Sequence, residues 1–91
     1  MIVVELFPGV GHMLKKERIE LDFTGGTLGE ALRCLLESHP HLIDDLSDGE
    51  QKIKSTLATF VNDERIHHDA HDDCEIRDGD RITILPPLSG G

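Results

Sequence analysis

The first third of the chain carries two strand-like patterns in succession. Residues 2–7 are an apolar, β-branched run that stops at Pro8 and Gly9, which predicts a strand followed by a turn. Residues 17–23 alternate strictly between apolar and polar side chains, as a half-buried strand does. The side chains expected to face the core are Ile19, Leu21 and Phe23. Together the two runs predict a β-hairpin with a long connection.

A helical pattern follows this hairpin. Thr27 and Glu30 match the S/T-x-x-E capping box, in which each side chain accepts a hydrogen bond from the other residue's amide. Four apolar residues then fall on one helical face: Leu28, Ala31, Leu32 and Leu35. Pro40 predicts an end near Ser38 or His39, because the residue before a proline avoids the α region. A surface or C-capping role is expected for His39.

The second half of the chain is less regular. Residues 41–54 are polar, with a short helical turn predicted around residues 42–46, and residues 56–62 predict a third strand. Residues 64–74 are predicted as a hydrophilic connection. A tight turn at Asp78 and Gly79 precedes a last strand that ends at residue 85.

This order of elements predicts an α+β fold of the β-grasp type. One mixed sheet of four to five strands would pack on one main helix, with the first and last strands parallel at its centre. We expect residues 1–85 to form this single domain. Residues 86–91 are expected to form an extended, flexible C-terminal diglycine tail.

Composition narrows the possible partners. Eighteen acidic against nine basic residues give a formal charge of −9, which disfavours nucleic acid because phosphate binding needs a basic footprint. The acidity is compatible with steering toward a basic protein surface or with a plain acidic exterior. We expect no membrane association and a cytoplasmic location, since neither a signal peptide nor a membrane span is apparent.

Enzyme chemistry is weakly supported by the sequence. Residues 67–74 contain several zinc-ligand types but no CxxC or HExxH frame, so a solvated polar loop is favoured over a bound metal. Cys34 and Cys74 are expected to be free thiols, and Asp73 and Glu75 should raise the pKa of the Cys74 thiol. The sequence lacks a P-loop, a GxGxxG motif and a Ser-His-Asp frame. We therefore do not expect the chain to be an enzyme by itself.

The end of the sequence, ILPPLSGG, has an order that indicates a function. Pro86 and Pro87 lack an amide hydrogen and would release the chain from the sheet in an extended direction. Gly90 and Gly91 would let the backbone pass through a channel too narrow for a Cβ atom. The reactive group would then be the α-carboxylate of Gly91, which a partner must activate.

Residues 78–91, DGDRITILPPLSGG, resemble the C-terminus of the ubiquitin-like sulfur carriers of the MoaD/ThiS family. Residues 1–7, the helix start at Thr27 and Leu28, and residues 60–62 also match the layout of that family. The resemblance implies a β-grasp fold and adenylation of Gly91 by an E1-like (MoeB/ThiF-type) enzyme that uses ATP. A sulfur donor would convert the acyl-adenylate to a thiocarboxylate. The resemblance implies no cofactor bound by the carrier itself.

The same family docks through an exposed apolar patch on its sheet. Strand parity places Phe7 and Leu85 opposite the core-facing side chains, and Phe60 is a weaker candidate; ordinary core packing is the alternative for all three. The tail adds four partner-binding candidates: Pro86, Pro87, Leu88 and Ser89.

The downstream partner stays open between two classes. The consecutive prolines resemble those of the molybdopterin synthase small subunit, which would serve a molybdopterin synthase large subunit. Residues 60–66 and 79–86 resemble CysO-type carriers, which would serve a cysteine-synthase-like enzyme. Two other functions remain open: a ubiquitin-like modifier joined to lysines through Gly91, and a metal- or partner-binding module with an incidental tail.

Overall fold

The computed structural model describes residues 1–10, 14–47 and 52–86. The elements are, in chain order, β1 (Ile2–Leu6), β2 (Glu17–Leu21), β3 (Gly25–Thr27), α1 (Leu28–Ser38), a 3-10 turn (Pro40–Leu42), α2 (Ile43–Leu46), β4 (Ala58–Val61), β5 (Glu64–Ile66), a second 3-10 turn (His68–Ala70), β6 (Glu75–Arg77) and β7 (Arg81–Leu85). Within these three segments, no helix has the length and apolar character needed to cross a bilayer.

Five strands form the main sheet in the order β2-β1-β7-β4-β5. β1 and β7 pair in parallel, and every other neighbouring pair in this sheet is antiparallel. The predicted parallel pairing of the first and last strands is therefore confirmed, and β7 occupies the middle of the sheet. This is the β-grasp arrangement that the order of elements predicted.

Helix α1 begins and ends as its sequence predicts. The Glu30 amide donates to the Thr27 hydroxyl at 3.1 Å, and the Thr27 amide donates to the Glu30 carboxylate at 2.9 Å. Both halves of the capping box are thus present. The helix ends at Ser38, and His39 is its C-cap, with its amide donating to the Leu35 carbonyl.

The core lies between α1 and one face of the main sheet. The buried side chains from β1, β7 and α1 are Ile2, Val4, Leu6, Ile82, Ile84, Leu28, Ala31, Leu32, Leu35 and Leu36. Leu42 and Leu46 from the short helical segment are buried in the same core. On β2 only Leu21 is buried; Ile19 and the nearby Phe23 are partly exposed and pack against the edge of the core.

One prediction about the connecting segments is wrong. Residues 64–74 are not simply a connection, because Glu64–Ile66 pairs with β4 as strand β5. The turn between them is made by Asn62 and Asp63, which have φ values of 49° and 76°. Gly25–Thr27 forms a further short strand, β3, which the sequence pattern did not predict.

The turn at Asp78 and Gly79 joins strands of different sheets. β3 pairs with β6 in a separate two-stranded sheet, whereas β7 lies in the main sheet. The turn is present, with Gly79 at φ +90°, but the strands on its two sides do not pair with each other. The predicted short helical turn is confirmed as α2.

Candidate functional site

The base of the predicted tail lies at the end of the central strand. Ile84 is fully buried, Leu85 is the last residue of β7, and Pro86 is partly buried beside it. The remaining tail candidates lie outside the described residues: Pro87, Leu88, Ser89, Gly90 and Gly91. The structure therefore describes the end of β7 and the first residue of the predicted tail.

A tight turn after β1 holds this point in place. The Phe7 amide donates to the Ile84 carbonyl at 3.2 Å, which extends the parallel pairing of β1 and β7 by one residue. The Val10 amide then donates to the Phe7 carbonyl, also at 3.2 Å, and closes the turn. Gly9 in that turn has φ +98°, and a Cβ atom there would lie 3.2 Å from the Pro86 ring. Glycine at position 9 thus permits both the turn and the close approach of Pro86.

Phe7, Phe60 and Leu85 lie on the face of the sheet opposite α1. Ala58 pairs with Leu85, and Phe60 pairs with Thr83, while the inward neighbours of Leu85 and Thr83 on β7 are buried. Phe7, Phe60 and Leu85 are all partly exposed. The strand parity predicted for this surface is therefore found in the structure. We call these three side chains the open-face patch; their role in docking remains a prediction.

Charged side chains border the open-face patch. The Glu5 carboxylate, with 17 % of its side chain exposed, lies 3.2 Å from the Lys16 ammonium and 3.7 Å from the Arg81 guanidinium. The Lys16 ammonium also lies 4.9 Å from the centroid of the Phe7 ring. Arg81 pairs with Asp63 at 2.5 Å. Such partly exposed ion pairs contribute about 0–1 kcal/mol each to stability, so their main effect here is to orient the side chains around the patch.

The histidine-rich segment forms a second polar region, on the α1 side of the molecule. The exposed His67, His68 and Asp69 lie together at the second 3-10 turn, and the two imidazole centroids are 4.6 Å apart. His71 is partly buried; burial first, and then the neighbouring His68, lower the pKa of its imidazole. The Gly29 amide donates to the His71 carbonyl at 3.0 Å. The predicted solvated loop is therefore correct for its exposed tip but not for the end that packs on α1.

Two backbone contacts and one side chain attach this segment to the start of α1. In addition to the bond from Gly29, the Leu28 amide donates to the Cys74 carbonyl at 2.7 Å. The Asp72 carboxylate lies directly over Gly29, where a Cβ atom would collide with it. A carboxylate at this position also complements the positive end of the helix dipole.

Cys74 does not have the environment of an activated nucleophile. Cys34 and Cys74 are free and partly buried, as the sequence predicted. Burial, followed by the carboxylates of Glu64 and Asp80, raises the pKa of the Cys74 thiol. The direction matches the sequence prediction, whereas the carboxylates responsible are not the adjacent acids in the chain.

Comparison with known proteins gives a family and a set of similar structures. The model of the ThiS family matches residues 3–91. Small archaeal modifier protein 1 from Haloferax volcanii is similar with a TM-score of 0.71 and 24% identity, over 99% of this chain and 98% of that chain. A chain of the BexX/CysO complex from Amycolatopsis orientalis has a TM-score of 0.68 and 25% identity, over 100% of both chains.

A third similar structure is the complex of subunits 1 and 2 of the molybdopterin-converting factor from Helicobacter pylori. Its TM-score is 0.58 and its identity 24%, over 99% of this chain and 97% of that chain. At this identity the likeness concerns the fold. Together these structures confirm the ubiquitin-like β-grasp fold.

Proposed function

Because the chain belongs to the ThiS family, we propose that it is a sulfur carrier whose Gly91 carboxylate is activated and converted to a thiocarboxylate. The observation that carries this proposal is that the family match extends from residue 3 to residue 91, so that it includes the diglycine. The position of Pro86 directly after the central strand supports the same function, because it places the start of the tail at the end of a well-packed strand.

The chemistry requires an activating partner because a carboxylate is a poor electrophile. In the proposed cycle a Gly91 carboxylate oxygen attacks the α-phosphorus of ATP, and pyrophosphate leaves. A sulfur nucleophile then attacks the carbonyl carbon, and AMP leaves with the carboxylate oxygen that attacked ATP. The product is a thiocarboxylate, whose sulfur is a better nucleophile than the oxygen it replaces. ATP is bound by the E1-like (MoeB/ThiF-type) enzyme rather than by the carrier.

In this cycle the carrier would contribute a long and narrow C-terminal tail and a surface for docking. Residues 88–91 can extend roughly 13 Å at about 3.3 Å per residue. Glycine at positions 90 and 91 keeps the end of the tail free of side chains. The open-face patch, bordered by the ion pairs of Glu5 with Lys16 and Arg81, would hold the domain on the partner while the tail enters the active site.

A downstream enzyme must accept the sulfur. The Amycolatopsis orientalis structure contains CysO in complex with BexX, and this chain is similar over its whole length to a chain of that complex. We extend that arrangement to this carrier and propose a larger biosynthetic partner. Its class would be a molybdopterin synthase large subunit or a cysteine-synthase-like enzyme.

Adenylation can be tested before the downstream partner is known. With the E1-like enzyme and ATP, the wild-type chain should support exchange of labelled pyrophosphate into ATP, since adenylation is reversible. Deletion of Gly91 should abolish the exchange, whereas Leu14→Ala, at a position 94% exposed and outside the strands of the main sheet, should not. Undiminished exchange after deletion of Gly91 would contradict the proposal.

A ubiquitin-like modifier is the second candidate, because it would use the same tail and the same activation. Its product would be an isopeptide bond from Gly91 to a lysine of another protein. Denaturing blots of cells that express the tagged chain distinguish the two functions. Higher-mass bands that vanish when Gly90 and Gly91 are deleted would favour the modifier, and their absence favours the sulfur carrier.

A further inference from the structure

The turn around residue 68 gathers metal-ligand side chains that the proposed carrier cycle does not use. One ligand atom each from His67, His68 and Asp69 lies within 4.8 Å of the others. His68 Nε2 is 3.1 Å from Asp69 Oδ1, and His67 Nδ1 is 3.6 Å from Asp69 Oδ2. Ligand atoms around a tetrahedral zinc ion are about 3.3 Å apart, given zinc–nitrogen bonds of about 2.0–2.1 Å. Small side-chain rotations at the exposed surface would reach this spacing.

A third imidazole, that of His71, lies beside the cluster. His71 follows His68 by three residues, a spacing that places both side chains on the same side of a 3-10 turn. Both line one cavity of about 280 Å³, together with Asp69. His71 Nε2 is enclosed and has no hydrogen-bond partner among the described residues. A buried ring nitrogen without a partner indicates an ion or water that completes its interactions.

A second unpaired group lies on the other side of the cluster. The Thr59 side chain is 2% exposed, and its hydroxyl also lacks a partner within the described part of the chain. It lines a cavity of about 160 Å³ together with His67 and His68. His68 lines both cavities, and the residues lining each cavity include one with a buried polar atom that has no partner among the described residues.

We propose that His67, His68 and Asp69 bind a divalent cation of the zinc class, with His71 as the fourth ligand. Three imidazole nitrogens and one carboxylate oxygen suit Zn²⁺, whereas Mg²⁺ and Ca²⁺ prefer oxygen ligands. Arg33 and Lys52 also line the larger cavity, and their positive charges do not coordinate a cation, so the histidines and Asp69 would supply the ligands.

The bound ion would link strand β5 to helix α1. His67 directly follows β5, and the His71 carbonyl accepts a hydrogen bond from the Gly29 amide in the first turn of α1. An ion that binds only the folded chain stabilises it by mass action. Zinc should therefore raise the melting temperature without requiring the C-terminal tail.

Titration of the full chain with ZnCl₂ in a calorimeter tests this site. We expect one equivalent to bind with micromolar or tighter affinity, and the melting temperature to rise by several degrees. The variant H67N/H68N should bind at least tenfold more weakly, and H71N should weaken binding to a smaller extent. Far-UV circular dichroism should be unchanged in the double variant, because both side chains are exposed.

The matched control is H39N/H41N, which removes a second histidine pair whose ring centroids are 5.8 Å apart. It should retain wild-type affinity for zinc, and MgCl₂ should produce no comparable heat. Wild-type zinc binding no tighter than millimolar would overturn the proposal. So would equal losses in H67N/H68N and H39N/H41N. Unchanged affinity in H71N would exclude His71 as the fourth ligand.

Discussion

Positions 9 and 79 require glycine for different reasons. Both have positive φ, at +98° and +90°, but a Cβ atom at Gly79 meets nothing within 4 Å, whereas one at Gly9 presses on Pro86. Gly79→Ala should therefore lower the free energy of unfolding by the backbone strain alone, about 1–2 kcal/mol. Gly9→Ala should cost more, because the Pro86 ring must also move. Urea unfolding of both variants measures the difference.

Gly25→Ala is the control for this pair. Gly25 does not have positive φ, and a Cβ atom added to it would meet no other atom within 4 Å, so this change should cost the least of the three. If Gly9→Ala and Gly79→Ala lose the same stability, the contact with Pro86 does not hold the base of the tail.

Cys74 gives a prediction about reactivity. Because burial and the carboxylates of Glu64 and Asp80 raise the pKa of its thiol, less thiolate is present in the folded chain at any given pH. In a Cys34→Ser background, iodoacetamide should alkylate Cys74 more slowly in the native protein than in urea. The alkylation rate of the native protein should also rise at a higher pH than the rate in urea does. Faster alkylation in the native protein would show an activated thiol instead.

Among the secondary-structure elements, α1, β1 and β7 could be predicted because their patterns are local. A capping box, a four-residue apolar face and a proline stop define α1, and β-branched runs bounded by turns define the two strands. Strands β3 and β5 could not be predicted, since each has three residues and few buried side chains. Their pairing depends on partners elsewhere in the fold, which local propensity does not report.

The contribution of the α1 capping box to the free energy of unfolding should be measurable by itself. Thr27→Ala removes the acceptor for the Glu30 amide and should lower the free energy of unfolding by about 1 kcal/mol. Thr27→Ser keeps a hydroxyl at the same position and should retain most of the stability. Chemical denaturation of the three proteins gives the comparison. An equal loss in both variants would point to packing of the Thr27 methyl group rather than to the hydrogen bond.

For the whole molecule, the candidate site was predicted in outline and not in detail. Alternation along β1, β4 and β7 placed Phe7, Phe60 and Leu85 on one face, because side-chain direction follows strand parity. The contact between Gly9 and Pro86 could not be predicted, because it joins segments far apart in the chain. The geometry of the histidine cluster could not be predicted from the sequence either, since it depends on the 3-10 turn at His68–Ala70.

The open-face patch predicts how the molecule binds its partners. Phe60→Ala and Leu85→Ala should each weaken binding to the E1-like enzyme about tenfold, as truncation of a buried apolar anchor does. Leu14→Ala removes an apolar side chain that is exposed elsewhere and should leave affinity unchanged. Calorimetry or surface plasmon resonance gives the affinities, with melting temperatures as the check on folding. Equal effects of all three substitutions would exclude the patch as the docking surface.

The sulfur-carrier function is tested most directly by the intact mass of the chain. After incubation with the E1-like enzyme, ATP and a sulfur donor, the wild-type protein should gain the mass difference between one sulfur and one oxygen atom. The gain should be confined to the C-terminal peptide that ends at Gly91 and should be absent when ATP is omitted. An unchanged mass in a mixture where adenylation of Gly91 is demonstrated would contradict the account.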